Sequence, residues 1–292
     1  MRPAHLSVLV VLLWGCNWPA SFLALGGMPP LTFRVASLAV GGVVLLLYCA
    51  LRGITLRWPR PQLGRLVFSS ILNVAAWNLL SVYAIVELNS ARAAILAFTM
   101  PLWTVLIEWL LGQAPTRPQR FALGLSSLGL AGLLMSVASD ASFSAPGAAA
   151  MLLAALAWAC GTVYVRRRPV DLPRESFAAW TLLLGALMVG TLLPLQASVW
   201  PSSPPAWPAL IAFVYAALIG MALCQACWFA LLGKLGPTAS ALALLGIPPV
   251  GVLSSWLLLR SPVATLDIAS LVLLLAAAAL PALAAARPWM PS

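Results

Sequence analysis

Aromatic and polar side chains recur in this chain at helical spacing, inside stretches that are otherwise apolar. Trp14, Asn17, Trp18 and Ser21 fall at i, i+3, i+4 and i+7 and so share one helix face. Asn73, Trp77 and Ser81 align at i, i+4 and i+8, with Asn78 beside them; Thr99 stands with Trp103, Trp158 with Thr162, and Gln225 with Trp228. These residue types suit binding. A tryptophan face stacks on an apolar group, and an amide or hydroxyl fixes a polar one. Covalent chemistry needs clustered carboxylates, histidines or an activated nucleophile. Six scattered acidic residues and a single histidine, His5, give no such cluster. An intramembrane enzyme is therefore a distant alternative.

Other chemistries are also poorly provided for. Cys224 and Cys227 have the spacing of half a zinc site, but no second pair or histidine accompanies them, so no metal is expected. All five cysteines lie within apolar stretches, which does not suggest a disulfide scaffold. The chain lacks a Gly-x-x-x-x-Gly-Lys phosphate loop, so ATP is not expected as the direct energy source; no cofactor is expected.

Ionisable groups inside the apolar stretches are few, and in a membrane such groups mark function or pairing. Arg34 either snorkels toward the surface as an anchor or holds a substrate carboxylate. Arg92 reads as an orienting or gate residue that could pair with Glu87. Glu108, seven residues beyond Pro101, is the only carboxylate well inside an apolar stretch. It could carry a proton, join loop arginines in a cytoplasmic gate, or sit protonated and idle. Pro101 and Pro249 each remove a backbone hydrogen bond in mid-helix and read as hinges.

The elements that must position these residues are membrane helices. Of 292 residues 63% are hydrophobic and 8% charged, against about a quarter charged in a soluble domain. Segments of about 20 apolar residues, the length of a bilayer core, number ten: 4–25, 31–51, 66–86, 91–111, 121–139, 146–165, 176–197, 207–231, 238–259 and 267–286. Met1-Arg2 before an apolar run resembles a signal peptide, but Trp14, Asn17 and Pro19 interrupt that run, and an uncleaved first helix is expected. Trp58, Trp200, Trp207 and Trp289 stand close to span ends and read as interface residues.

With the N-terminus in the cytoplasm and ten alternating spans, 13 of the 16 basic residues fall on the cytoplasmic side. These include Arg52, Arg57, Arg60, Arg65, Arg117, Arg120, Arg166, Arg167 and Arg168. The net charge of +10 is thus an orientation signal, with no nucleic-acid partner implied. Both termini are expected in the cytoplasm. Leu13-Trp14-Gly15-Cys16 recurs as Ala157-Trp158-Ala159-Cys160, and the helix of Pro101 recurs as that of Pro249. The chain therefore reads as all-α, with two five-helix repeats, 1–140 and 146–292, in one membrane unit. An odd number of spans per repeat makes them inverted, a ground plan of secondary transporters.

Trp14 through Phe22, then Pro29-Pro30 and Phe33-Arg34, resembles the first two helices of the EamA-type, ten-helix branch of the drug/metabolite transporter superfamily. Glu87-Leu-Asn-Ser-Ala91, Pro101-Leu102 and Gly112-Gln113 resemble a second signature, which returns as Lys234 through Ala239 and Pro249-Val250. Members often carry Gly-Glu after the fourth and ninth helices, where this chain has Gly112-Gln113 and Arg260-Ser261. The resemblance implies an inner-membrane carrier in the lipid bilayer, working as a monomer on a small-molecule substrate. Its first implied cargo is amino acids, aromatic or large apolar ones, moved outward by alternating access. The alternative is export of drugs or cations, which normally requires a cavity carboxylate. A channel would need rings of equivalent groups around a pore, which two repeats do not suggest.

Overall fold

The apolar runs fold as helices throughout, because a backbone in lipid must satisfy its own N–H and C=O groups. The computed structural model describes residues 3–88, 90–138, 144–201, 203–260 and 265–286. Within them lie α1 (Pro3–Leu25), α2 (Pro30–Leu51), α3 (Leu63–Ser70), α4 (Trp77–Leu88), α5 (Ser90–Ala97), α6 (Met100–Leu110) and α7 (Arg117–Ala138). The second half follows with α8 (Ala145–Arg167), α9 (Arg174–Gly190), α10 (Trp207–Tyr215), α11 (Cys224–Leu235), α12 (Pro237–Ala243), α13 (Ile247–Leu259) and α14 (Thr265–Ala286).

These helices join into ten rods. A π-helical segment, Ile71–Ala76, links α3 to α4, and another, Ala216–Leu223, links α10 to α11. Two further rods are broken: α5 stops before α6, and α12 passes through a 3-10 turn, Leu244–Gly246, into α13. The rods match the ten spans read from the sequence. Seven are long and apolar enough to cross a bilayer by length and composition, while Met100–Leu110 and Ile268–Ala277 are shorter apolar helices. The border at Asp140–Pro146 falls mostly outside the described residues, as do Arg2 and Arg287.

Punctuation is local. Proline occupies the first turn of α2, α6, α8, α10, α12 and α13, where its missing N–H costs no helical bond. Gly112 ends α6 at φ +87°, a left-handed conformation that a side chain disfavours. The equivalent position after α13 holds Arg260 at φ 55°.

Neighbouring rods come in matched pairs. α1 packs on α13 as α8 packs on α6, and α1 on the π segment after α10 as α8 on the π segment before α4. α2 lies along α9 and α7 along α14. Leu12, Leu47, Leu110, Phe121 and Leu128 point outward, as lipid-facing residues do, and Trp200 and Trp207 are exposed near span ends, as in an aromatic belt.

Candidate functional site

The matched rods leave a cavity between the halves, with about 80 Å³ open to water-sized molecules. Its walls carry Trp14, Asn17, Trp18 and Ser21 from α1, Asn73, Trp77, Asn78 and Ser81 from the third rod, Trp158 from α8 and Gln225 from α11. Helical spacing brings each set to one face, and the packing of α1 and α8 on the opposite halves turns those faces toward each other.

Four tryptophans form a stack behind and beside this space. Trp158 lies 4.5 Å from Trp228 and 6.2 Å from Trp77 between ring centroids, and Trp14 lies 6.2 Å from Trp228. Trp228 is fully buried and outside the lining, so it supports the wall where the sequence suggested contact with the cavity. Trp103 is likewise displaced from its expected role: it packs against the core from α6, off the cavity. Residue spacing identified its helix face but not how the break before α6 would aim it. Thr162 is also off the lining and donates to the Trp158 carbonyl at 2.8 Å.

The π segments bring asparagine against glycine twice. A Cβ placed on Gly220 would lie 2.5 Å from Asn17 Oδ1, and one on Gly161 would overlap the Asn73 amide. Asn17 and Gly161 are equivalent, each third after Trp14 and Trp158, while Asn73 and Gly220 lie in the two π segments. Trp14 Nε1 donates to the Gly220 carbonyl at 2.8 Å, and the Tyr215 hydroxyl donates to the Leu13 carbonyl at 2.8 Å. Rod one is thereby tied to rod eight by polar bonds where π geometry perturbs the helix ladder.

The sequence left Arg34 between a surface anchor and a holder of a substrate carboxylate. Four residues into α2, it is only 4% exposed and lines the cavity. The loop after α9 packs nearby in the chain, on Leu31 and Thr32. Leu31 N–H donates to Gln196 Oε1 at 2.8 Å, and the Thr32 hydroxyl donates to the Val199 carbonyl at 2.6 Å, so this loop covers the start of α2. The Phe33 ring lies 5.1 Å from the guanidinium carbon.

The remaining candidates lie away from the cavity. Glu108 Oε1 is 3.7 Å from Arg167 Nε, and Arg167 also donates to the Leu111 carbonyl at 3.2 Å, joining the ends of α6 and α8. Glu87 accepts from Ser144 Oγ at 2.9 Å; the side chain of Arg92, its suggested partner, lies outside what is described. Pro101 and Pro249 do not kink continuous helices. Each sits in the first turn of a new helix just after a break, with the Thr99 hydroxyl donating to the Leu96 carbonyl at the first break. Among the described residues no three His, Cys, Asp or Glu side chains converge as a metal site would.

Sequence reasoning missed the apolar lining: Phe98, Met100, Leu182, Met221 and Ile247. Phe98, Met100 and Ile247 stand at the two helix breaks, so the paired prolines were the available signal.

A two-part helical bundle with a cavity between its halves is the architecture of a multi-pass membrane carrier. The comparisons agree: the chain matches the EamA-like transporter family twice, over residues 2–135 and 145–282, and it belongs to that family. It is a secondary transporter, in a family of transporters and not of enzymes. The uncharacterized transporter YvbV of Bacillus subtilis is 26% identical over 94% of this chain and 89% of its own. The uncharacterized inner membrane transporter YedA of Escherichia coli is 26% identical over 83% of this chain and 78% of its own. A protein crystal structure matches with a TM-score of 0.77 at 22% identity, covering 97% of both chains, and so shares the fold.

Proposed function

We propose that this protein carries amino acids, with aromatic or large apolar side chains preferred, across the inner membrane by alternating access, in the direction of export. The observation that carries this reading is the cavity itself. Trp14, Trp18, Trp77 and Trp158 offer stacking surfaces, and Asn17, Asn73, Asn78, Ser81 and Gln225 offer a few polar contacts between the halves. In this reading 1–140 and 146–292 are inverted repeats with both termini in the cytoplasm, as the arginine bias supports. The breaks before Pro101 and Pro249 let the two ends of rods four and nine tilt separately, and the Glu108–Arg167 contact closes the cytoplasmic side. One chain holds the whole cavity, which fits a monomer.

Cation export is the weaker reading. Among the described residues no carboxylate lines the cavity, and an organic cation in a low-dielectric site needs one. The test is counterflow in proteoliposomes: vesicles loaded with unlabelled phenylalanine, tryptophan or leucine should transiently accumulate the labelled compound from outside. A panel of amino acids that neither exchanges nor competes, beside an organic cation that does, overturns the assignment.

A further inference from the structure

The cavity contains a buried cation with nothing described to neutralise it. Arg34 is 4% exposed, its Nε is buried without a hydrogen-bond partner, and no described carboxylate lies within salt-bridge distance. Uncompensated charge inside a membrane bundle is unfavourable, and the ring of Phe33 offsets only part of that cost. The described carboxylates lie elsewhere: Glu87 is engaged with Ser144, Glu108 with Arg167 and Asp171 with Arg57, and Glu175 stands near Cys49 at the opposite end of α2.

The same cavity also has acceptors without donors. Asn78 Nδ2 donates to the Val74 carbonyl at 2.9 Å and Asn73 Nδ2 to the Ser69 carbonyl at 3.4 Å. Only the amide nitrogen can make those bonds, so the orientation of each amide is fixed and each oxygen faces away from its own helix bond. Asn73 Oδ1 and Asn78 Oδ1 are both buried without a partner. A site with one cationic donor and two empty acceptors complements a molecule with one carboxylate and one ammonium group.

We propose that Arg34 is the anchor for the carboxylate of the carried molecule, and that the amide oxygens of Asn73 and Asn78 receive its ammonium group. This deepens the amino-acid reading and rests on it for the ammonium half alone. The arginine serves selection as well as attraction: a solute with only a cationic head meets a like charge and finds no counter-ion. Arg34 is a binding residue in this scheme, retained at the expense of stability.

The experiment compares three probes of one ring size: L-phenylalanine, 3-phenylpropionate and phenethylamine. Binding to the purified full-length protein is read by thermal shift and tryptophan fluorescence, and transport by counterflow. The parent should bind both carboxylates, and phenethylamine should bind about tenfold or more weakly, as loss of a charge-assisted contact implies. Arg34→Gln should lose that preference while melting no lower than the parent, and Arg34→Lys should keep part of it. A glutamine variant that melts lower with the preference intact makes Arg34 a structural residue and overturns the proposal. Phenethylamine binding best in the parent overturns the anchor but leaves an aromatic-lined carrier. Binding of 3-phenylpropionate without phenylalanine overturns the amino-acid reading and keeps the anchor; binding of none of the three overturns both.

Discussion

Trp77 and Trp103 make a matched test of the cavity, since both are partly buried tryptophans of the first half and only Trp77 lines it. In Trp77→Ala the bound solute loses one aromatic contact of about 0.5–1.5 kcal/mol. At about 1.4 kcal/mol per tenfold, affinity should fall by roughly 2- to 12-fold. The loss stays partial because Trp14, Trp18 and Trp158 keep their places in the lining. The protein itself loses a single ring pair, Trp77 with Trp158 at 6.2 Å, so folding should survive. Trp103→Ala removes core packing and a buried indole N–H that has no partner. It should alter melting while leaving affinity within about twofold, less than one such contact is worth. Half-saturation in counterflow, measured beside thermal unfolding in the same detergent, separates the two effects. Equal affinity losses in both variants, or none in Trp77→Ala, would show that the binding face has been misplaced.

Topology is checked by maleimide labelling in a background without native cysteines: Arg168→Cys should react only after the membrane is opened, and labelling in sealed cells refutes the cytoplasmic assignment of the loop after α8. Glu108→Gln should leave any dependence of transport on a pH gradient unchanged and alter rates as Arg167→Gln does, with the double variant no worse than either single one. Loss of the pH dependence alone, with exchange retained, instead makes Glu108 a proton carrier. Arg260→Gly should stabilise the protein by about 1 kcal/mol, because it relieves a left-handed residue at the end of α13; a lower melting temperature means that the arginine side chain has a partner that matters more than its backbone.

Hydrophobic length and helical spacing made the ten rods and much of the polar and aromatic cavity wall legible in the sequence. The α1 set and the third-rod set emerged on the lining because spacing fixes which side chains share a face. What spacing cannot show is which residues stand in front of others. Trp228 shares a face with Gln225 yet is screened by Trp158, a relation between two helices that neither sequence segment records. Arg34 stood between two readings for a similar reason. Its position near the start of α2 was readable, but its place on the cavity wall depends on residues of other helices, such as Leu182 and Gln225, that are distant in the chain. The hinges lay between these cases: the paired prolines marked the place, and the breaks proved sharper than kinks.

The crossed asparagine–glycine contacts predict which polypeptides could become partners. Both asparagines belong to the first half and both glycines to the second. Two copies of the first half would crowd amide against amide at each seam, and two copies of the second would leave a gap at each. If 1–140 and 146–292 are repeats that pair as the two halves do here, only the mixed couple fills both seams, and the like-with-like assemblies are expected to fail. Halves made as separate chains, cut between residues 138 and 144, should accordingly co-purify as a one-to-one pair. Gly161→Asn together with Gly220→Asn should abolish that pairing, and its persistence would place partner choice elsewhere in the bundle.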